Sequence, residues 1–379
     1  MLRRFLLVSL ALSALSCGSP PRVGGDAGNP ADAGHPPELV DAGGSVDAGD
    51  VLDAGELLDA GPLDGGLEDA GSIDGGSPDA GALDAGALDA GSIDGGAEDA
   101  GAPDAGLQRP DAGPWDGIPF RVRVMAANTT SGNYQSYDPG PGTRIFEGLK
   151  PDVALVQEFN YGDGSDATLR GYIDATFGPE FSYFRESGAQ IPNGVVSRWP
   201  IVAAGNWTDP EVSNRSFVWA QIDLPGPRDL WAFSLHLLTR SATVRDSEAR
   251  ALVTDIQAYI PEGDLLVLGG DFNTNTGGEG CISTLSAVVE VDTARPTDQA
   301  GTDGTNASRS KPYDWVLADP DLNPLEVPVA LGSNSFPHGL VFDSRVYTPL
   351  TDVTPVLATD SDAPSMQHMA VVRDFEISD

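Results

Sequence analysis

Between Asp59 and Asp104 an aspartate recurs at every fifth residue, as in "DAGALDAGALDAGSIDGG". A period of five matches neither the 3.6-residue helix nor the two-residue strand. Alanine and glycine fill the gaps, and the like charges repel. Such a stretch cannot repay the entropy of being ordered and is expected to stay disordered. A calcium-binding β-roll would need a nine-residue period with paired glycines, which is not the pattern here. The whole segment 1–114 has almost no aromatic residues, whereas residues 115–379 hold nearly all the Trp, Tyr and Phe. The 379-residue length would allow two domains, but this composition leaves one, over 115–379, behind a disordered Asp-Ala-Gly-rich linker over 18–114.

The chain opens "MLRRFLLVSLALSALSCGSPP". Arg3 and Arg4 make a positive start, and Phe5 to Leu15 make an apolar run too short to span a bilayer. The small residues that follow end at Cys17. Residues 1–17 are therefore expected to be a signal peptide of the bacterial lipoprotein type, with "ALSC" as the lipobox and Ala14 where such boxes usually have Leu. Ordinary secretion is the alternative. Acylation of Cys17 would hold the protein to a membrane of the bacterial cell envelope through buried CH2 groups. Cys281 lies far from Cys17, and no disulfide is expected.

The formal net charge is −36, and about −19 of it remains on residues 115–379. That argues against a broad cationic surface for holding nucleic acid without sequence preference. It leaves open chemistry on phosphates assisted by a metal ion.

From residue 119 the pattern becomes regular. "PFRVRVMAAN" alternates as a strand and ends at Asn128. "PDVALVQEFN" is a short apolar run reaching Gln157 and Glu158, and "DLWAFSLHLLT" ends near His236. "GDLLVLGGDFNTN" reads as a buried strand ending at Asp271 and Asn273, and "KPYDWVLAD" puts Asp314 at the start of another. A helix is expected from about Thr243 to Tyr259, with Val244, Leu252, Val253 and Ile256 on one face. Strands alternating with helices argue for an α/β domain. Four of the runs end in a carboxylate, an amide or an imidazole, and ligands of α/β sheets bind beyond strand ends. Taken singly, Glu158 reads as a solvated loop acid and His236 as a strand residue. "GGDFN" says more, because its glycines allow close backbone approach and Asp271 and Asn273 project from one side of the turn.

In this order the motifs resemble those of the endonuclease/exonuclease/phosphatase superfamily, with its deoxyribonuclease-I-like fold. The resemblance covers about residues 118–377. It rests on Asn128, on "QE" at Gln157-Glu158, on "NGVVSRWPI" at 193–201, on His236, on "GGDFN", on "YDWVL" with Asp314, and on His368. It implies a four-layer sandwich of two packed mixed β-sheets flanked by helices. It also implies hydrolysis of phosphate esters by water, assisted by magnesium, with manganese or calcium as alternatives. Asn128 and Glu158 would hold the metal, since magnesium takes oxygen ligands and keeps several waters. Zinc is disfavoured, because no closely spaced His or Cys ligands occur.

The same resemblance makes His368 the general base, oriented by Asp314, with Asp271 and Asn273 positioning nucleophile and phosphate. His236 would donate to the phosphoryl oxygens or the leaving group. The family usually reads Ser-Asp-His where this chain has Met366-Gln367-His368, so a neutral amide replaces a carboxylate. Asp360 and Asp362 are candidates to compensate. Arg309 and Lys311, in "TNASRSKPYD", are candidates for contacting substrate phosphates, and a solvated basic loop is the equal alternative. DNA and RNA are candidate substrates, although fold alone does not choose among nucleases, sphingomyelinases and inositol-phosphate phosphatases. The chain is expected to act as a monomer. Two readings stand: a surface-tethered or extracellular phosphodiesterase or nuclease, and a catalytically weakened binding module on a stalk, which Gln367 favours.

Overall fold

Side chains on a strand point alternately to its two faces, so a strand that is apolar throughout needs cover on both. In the computed structural model this is the condition of the central strands. The structure describes Ala112, residues 116–132 and residues 139–378. The leader, Cys17 and the aspartate repeats lie outside the described residues.

Two mixed sheets carry the domain. The first contains β1 (Phe120–Asn128), β2 (Val153–Gln157), β3 (Ser182–Arg185), β4 (Gly194–Ser197), β10 (Glu326–Val327), β13 (Leu340–Phe342) and β14 (Ala370–Ile377). Its order is β10-β14-β1-β2-β4-β3, with β13 also paired to β14, and β1 and β2 run parallel. The second contains β5 (Ile201–Trp207), β6 (Phe217–Ile222), β7 (Leu230–His236), β8 (Leu265–Asp271) and β9 (Asp314–Ala318), in that order, with β7 and β8 parallel. A hairpin of β11 (Val329–Leu331) and β12 (Asn334–Phe336) stands beside them.

Alternation sorts the core into layers. Val122, Val124 and Ala126 of β1 meet Val153 and Leu155 of β2 and, across the interface, Ala232 of β7 and Val267 of β8. The opposite parity of β1 and β2, including Met125 and Val156, packs under α1 (Pro139–Leu149) and α2 (Asp166–Thr176). Trp231, Phe233 and Leu235 of β7 and Leu266 and Leu268 of β8 face α3 (Ala242–Tyr259) and α4 (Gly280–Leu285). The result is the expected four layers: helices, sheet, sheet, helices. Ser241 caps α3 by accepting from Val244 N at 3.3 Å. The buried face of α3 differs from the apolar reading. Leu252 and Ile256 are on it with Ala249, but so are Arg245 and Glu248, while Val244 and Val253 are only part-buried.

Two devices bring the sheets into close register at one end. Gln157 Nε2 of β2 donates to Ser234 Oγ of β7 at 2.9 Å, and that hydroxyl donates back to Val156 O at 2.8 Å. Gly270, with φ +137°, lets β8 pass under the same amide. A Cβ there would lie 2.1 Å from Leu235 O and 2.7 Å from Gln157 Nε2. Gly269 is equally confined, with Leu155 Cδ1 2.6 Å from the place its Cβ would take.

Candidate active site

The strand registers align the polar strand ends. His236 of β7 is opposite Asp271 of β8, and Asp271 is opposite Asp314 of β9, so three residues from far-apart motifs share one rung. In the other sheet Asn128 is opposite Gln157, the residue before Glu158. His368 arrives just ahead of β14, held by a backbone bridge to Asn306 and by Met369 N donating to Thr305 O at 2.7 Å. Glu158, Asp271, Asn273 and His368 line one open cleft of about 460 Å³.

Within it the contacts are short. Asn128 Nδ2 donates to Glu158 Oε1 at 3.0 Å and to Asp271 Oδ2 at 3.1 Å. Gly132 N donates to Glu158 Oε2 at 2.6 Å. Asp271 Oδ2 is 3.4 Å from His236 Nε2 and 3.5 Å from His368 Nε2. His368 Nδ1 meets Asp314 Oδ2 at 3.0 Å. All of these residues are buried. Glu158 and Asn273 have φ of +53° and +52°, a region that non-glycine residues seldom occupy. The Asn273 turn is fixed from two sides: its N–H donates to Asp271 Oδ1 at 2.9 Å and its Nδ2 to Leu237 O at 3.0 Å.

Three buried carboxylates, Glu158, Asp271 and Asp314, share the site. Burial alone would lower the pKa of His368, but the neighbouring Asp314, Asp271 and Glu158 carboxylates outweigh it and raise the imidazole to about 10. Burial pushes the Asp314 carboxyl up, while His368 pulls it back down. Asp271, Asp314 and His368 offer ligand atoms within 4.8 Å of one another, so this arrangement could hold a cation. The Asn128 amide presents its nitrogen to the two carboxylates. Its oxygen accepts from Thr130 N at 2.8 Å, so ligation through that oxygen requires the amide to turn over.

Behind His236 stands a group that the sequence did not reveal. Arg215, itself buried, donates from Nε to His236 O at 2.5 Å and from Nη2 to Leu237 O at 3.1 Å. Both oxygens of Glu248 accept from Leu238 N, at 3.1 and 3.0 Å. The backbone that leaves β7 is thus clamped on three successive residues.

The two basic candidates are placed differently from the rest. Arg309 Nη2 is paired with Asp298 at 2.5 Å and Nη1 lies 3.5 Å from Asp343; Arg309 is not among the residues that line the cleft. Lys311 Nζ lies over the ring of Tyr313 at 5.8 Å, and it is Tyr313 that lines the cleft, its ring 5.8 Å from that of His368. The cation on the cleft wall is instead Arg345, in a segment with no motif to mark it. Asp360 cannot replace the carboxylate missing at Gln367, because Arg144 holds it from Nε and Nη2. Asp362 and Gln367 both line the cleft and are exposed.

The model of the Endonuclease/Exonuclease/phosphatase family matches residues 135–335. Similar solved structures include the endonuclease/exonuclease/phosphatase from Beutenbergia cavernae, at 19% identity over 68% of this chain and 72% of that chain, with a TM-score of 0.46. The corresponding protein from Bacteroides vulgatus is 14% identical over 69% of this chain and 100% of its own, with a TM-score of 0.47. Truncated Caenorhabditis elegans TDP2 is 13% identical over 68% of this chain and 98% of its own, with a TM-score of 0.45. No curated protein matches the sequence.

Proposed function

The chain belongs to the Endonuclease/Exonuclease/phosphatase family, and on that premise we propose that it is a magnesium-dependent phosphodiesterase using a water activated by His368 and Asp314. The observation that carries this reading is the convergence of His368, Asp271 and Glu158 on one cleft from both sheets, with Asp314 buried behind His368. Each residue type answers a demand of the reaction. A phosphodiester is anionic, and its transition state concentrates charge on oxygens that water alone stabilises poorly.

Glu158 and Asn128 hold the metal in this proposal, with Asp271 beside them. Their oxygen chemistry suits magnesium first and manganese or calcium as alternatives. Bound there, a divalent cation supplies Lewis acidity and neutralises charge on the phosphoryl oxygens. His368 Nε2 takes the proton of the attacking water. Asp314 accepts from Nδ1–H, which fixes the tautomer and stabilises the imidazolium that forms. Two of the three carboxylates that keep His368 protonated are Glu158 and Asp271. A cation held by Glu158 and Asp271 would offset part of that pull, leaving Asp314 as the carboxylate that orients the imidazole. Asp271 and Asn273 position nucleophile and phosphate, and His236 donates to the phosphoryl or leaving-group oxygen.

In this proposal the domain spans residues 115–379, behind a signal peptide at 1–17 and an Asp-Ala-Gly-rich linker over 18–114. The leader supports export, with the protein tethered through an acylated Cys17 or secreted. DNA or RNA is the simplest substrate. Gln367 favours a second reading, a binding module that has given up catalysis. One assay separates them: DNA, RNA and a chromogenic phosphodiester incubated with and without magnesium. Cleavage that stops on chelation supports the enzyme. Binding without cleavage of any of the three supports the module.

A further inference from the structure

The cleft holds one arginine whose geometry suits a task that the reaction centre leaves open. Arg345 donates from Nε to Asp343 Oδ1 and from Nη2 to Asp343 Oδ2, both at 2.8 Å. Asp343 is buried and also accepts from Arg345 N at 3.0 Å, so the guanidinium plane is fixed from below. Nη1, at the other edge, lies 3.5 Å from Asp362 Oδ1, beyond a good hydrogen bond. Asp362 is wet, with its side chain 72% exposed against 30% for Arg345. An exposed pair of this kind is weak and easily exchanged for another anion. A guanidinium held by one edge has little entropy left to lose when its other edge takes an oxyanion.

We propose that Arg345 recognises a second phosphate of the substrate, adjacent to the phosphodiester that is cleaved, by exchanging Asp362 for it. The inference rests on the phosphodiesterase reading and adds its substrate class: compounds with a further phosphate beside the scissile one. That group could belong to a nucleic acid strand or to a phosphorylated polyol headgroup.

The test uses two substrate pairs and the full-length protein with magnesium. One pair is a thymidine dinucleotide with and without a terminal phosphate. The other is glycerophosphoinositol with and without a ring phosphate. Wild type should prefer the member with two phosphates in at least one pair, and which pair identifies the source. Arg345→Met should lose roughly 10- to 100-fold in kcat/KM on that member and much less on its partner, as expected for one charge-assisted contact. Arg345→Lys should keep part of the preference. Asp362→Asn leaves the Asp343 fork intact and should act in the opposite direction, lowering KM for the member with two phosphates. Equal losses on both members in Arg345→Met, or a preference that survives it, would overturn the assignment while leaving the phosphodiesterase reading standing. A wild type that cleaves none of the four would remove both.

Discussion

His368 Nδ1 and Asp314 Oδ2 are 3.0 Å apart, although the strands they adjoin, β14 and β9, belong to different sheets. The pair therefore forms only when the two sheets are packed. It is also buried, which strengthens each interaction within it.

If that pair activates the water, His368→Ala should lower turnover by roughly 10²–10⁴-fold, the range for a positioned acid or base. Asp314→Asn should lower it too, and the double variant should lose far less than the product of the single losses, because the two act as one unit. Single-turnover rates on a chromogenic phosphodiester measure all three. Near-wild-type turnover in His368→Ala would make His368 a strand cap.

Glu158 lines the same cleft and is hydrogen-bonded by Asn128 and Gly132. Glu158→Gln keeps its shape and removes the charge that a hard cation needs. The expected outcome is a magnesium requirement raised at least about 10-fold, with the far-ultraviolet spectrum unchanged. A titration of turnover with magnesium that superimposes on that of wild type would take Glu158 out of the metal site.

Arg215 clamps the carbonyls of His236 and Leu237 from inside the protein. Arg215→Met would strand both buried carbonyls, at a cost of roughly 1–3 kcal/mol each in stability. Arg215→Lys keeps the charge but not the fork, so it should recover much of the urea midpoint and little of kcat. Full recovery of kcat by lysine would mean that the fork does not position His236.

Two buried acids near this clamp give stability a pH dependence with a definite sign. Burial pushes Glu186 up to about 7. Burial and then the neighbouring Asp209 push Glu248 up to about 8. An unfolded glutamate ionises near 4.5. Between that value and about 8 the native state holds protons that the unfolded chain releases, so stability falls as pH rises through this window and levels off above it. Glu248→Gln still accepts from Leu238 N. Its melting temperature should fall less than that of wild type between about pH 5 and pH 8.5. Parallel curves for the two proteins would refute the assignment.

Much of this was legible because apolar alternation and polar strand ends are local signals. β1, β2, β7, β8 and β9 stand where their runs place them, and Asn128, Glu158, His236, Asp271, Asn273, Asp314 and His368 sit together because strand register aligns the ends of those runs. What escaped depends on partners distant in sequence. Arg309 and Arg345 are both arginines in polar loops, and nothing local says that Asp298 holds the first away from the cleft while Asp343 holds the second by one edge on its wall. Arg215 is silent for the same reason, since the carbonyls it clamps lie some twenty residues further along the chain. Arg245 and Glu248 look like the solvent face of α3 until the Glu279 carboxylate and Leu238 N are brought against them.

β1 runs from Phe120 toward Asn128, and Phe120 is register partner of Ile377, near the end of the antiparallel β14. The chain therefore enters and leaves this domain side by side at one pole, about 25 Å along the strand from Asn128. Cargo joined directly ahead of Phe120 or directly after Ile377 would sit at the pole away from Asn128. A domain immobilised at that pole would present its cleft end outward, whichever of the two strands carries the attachment.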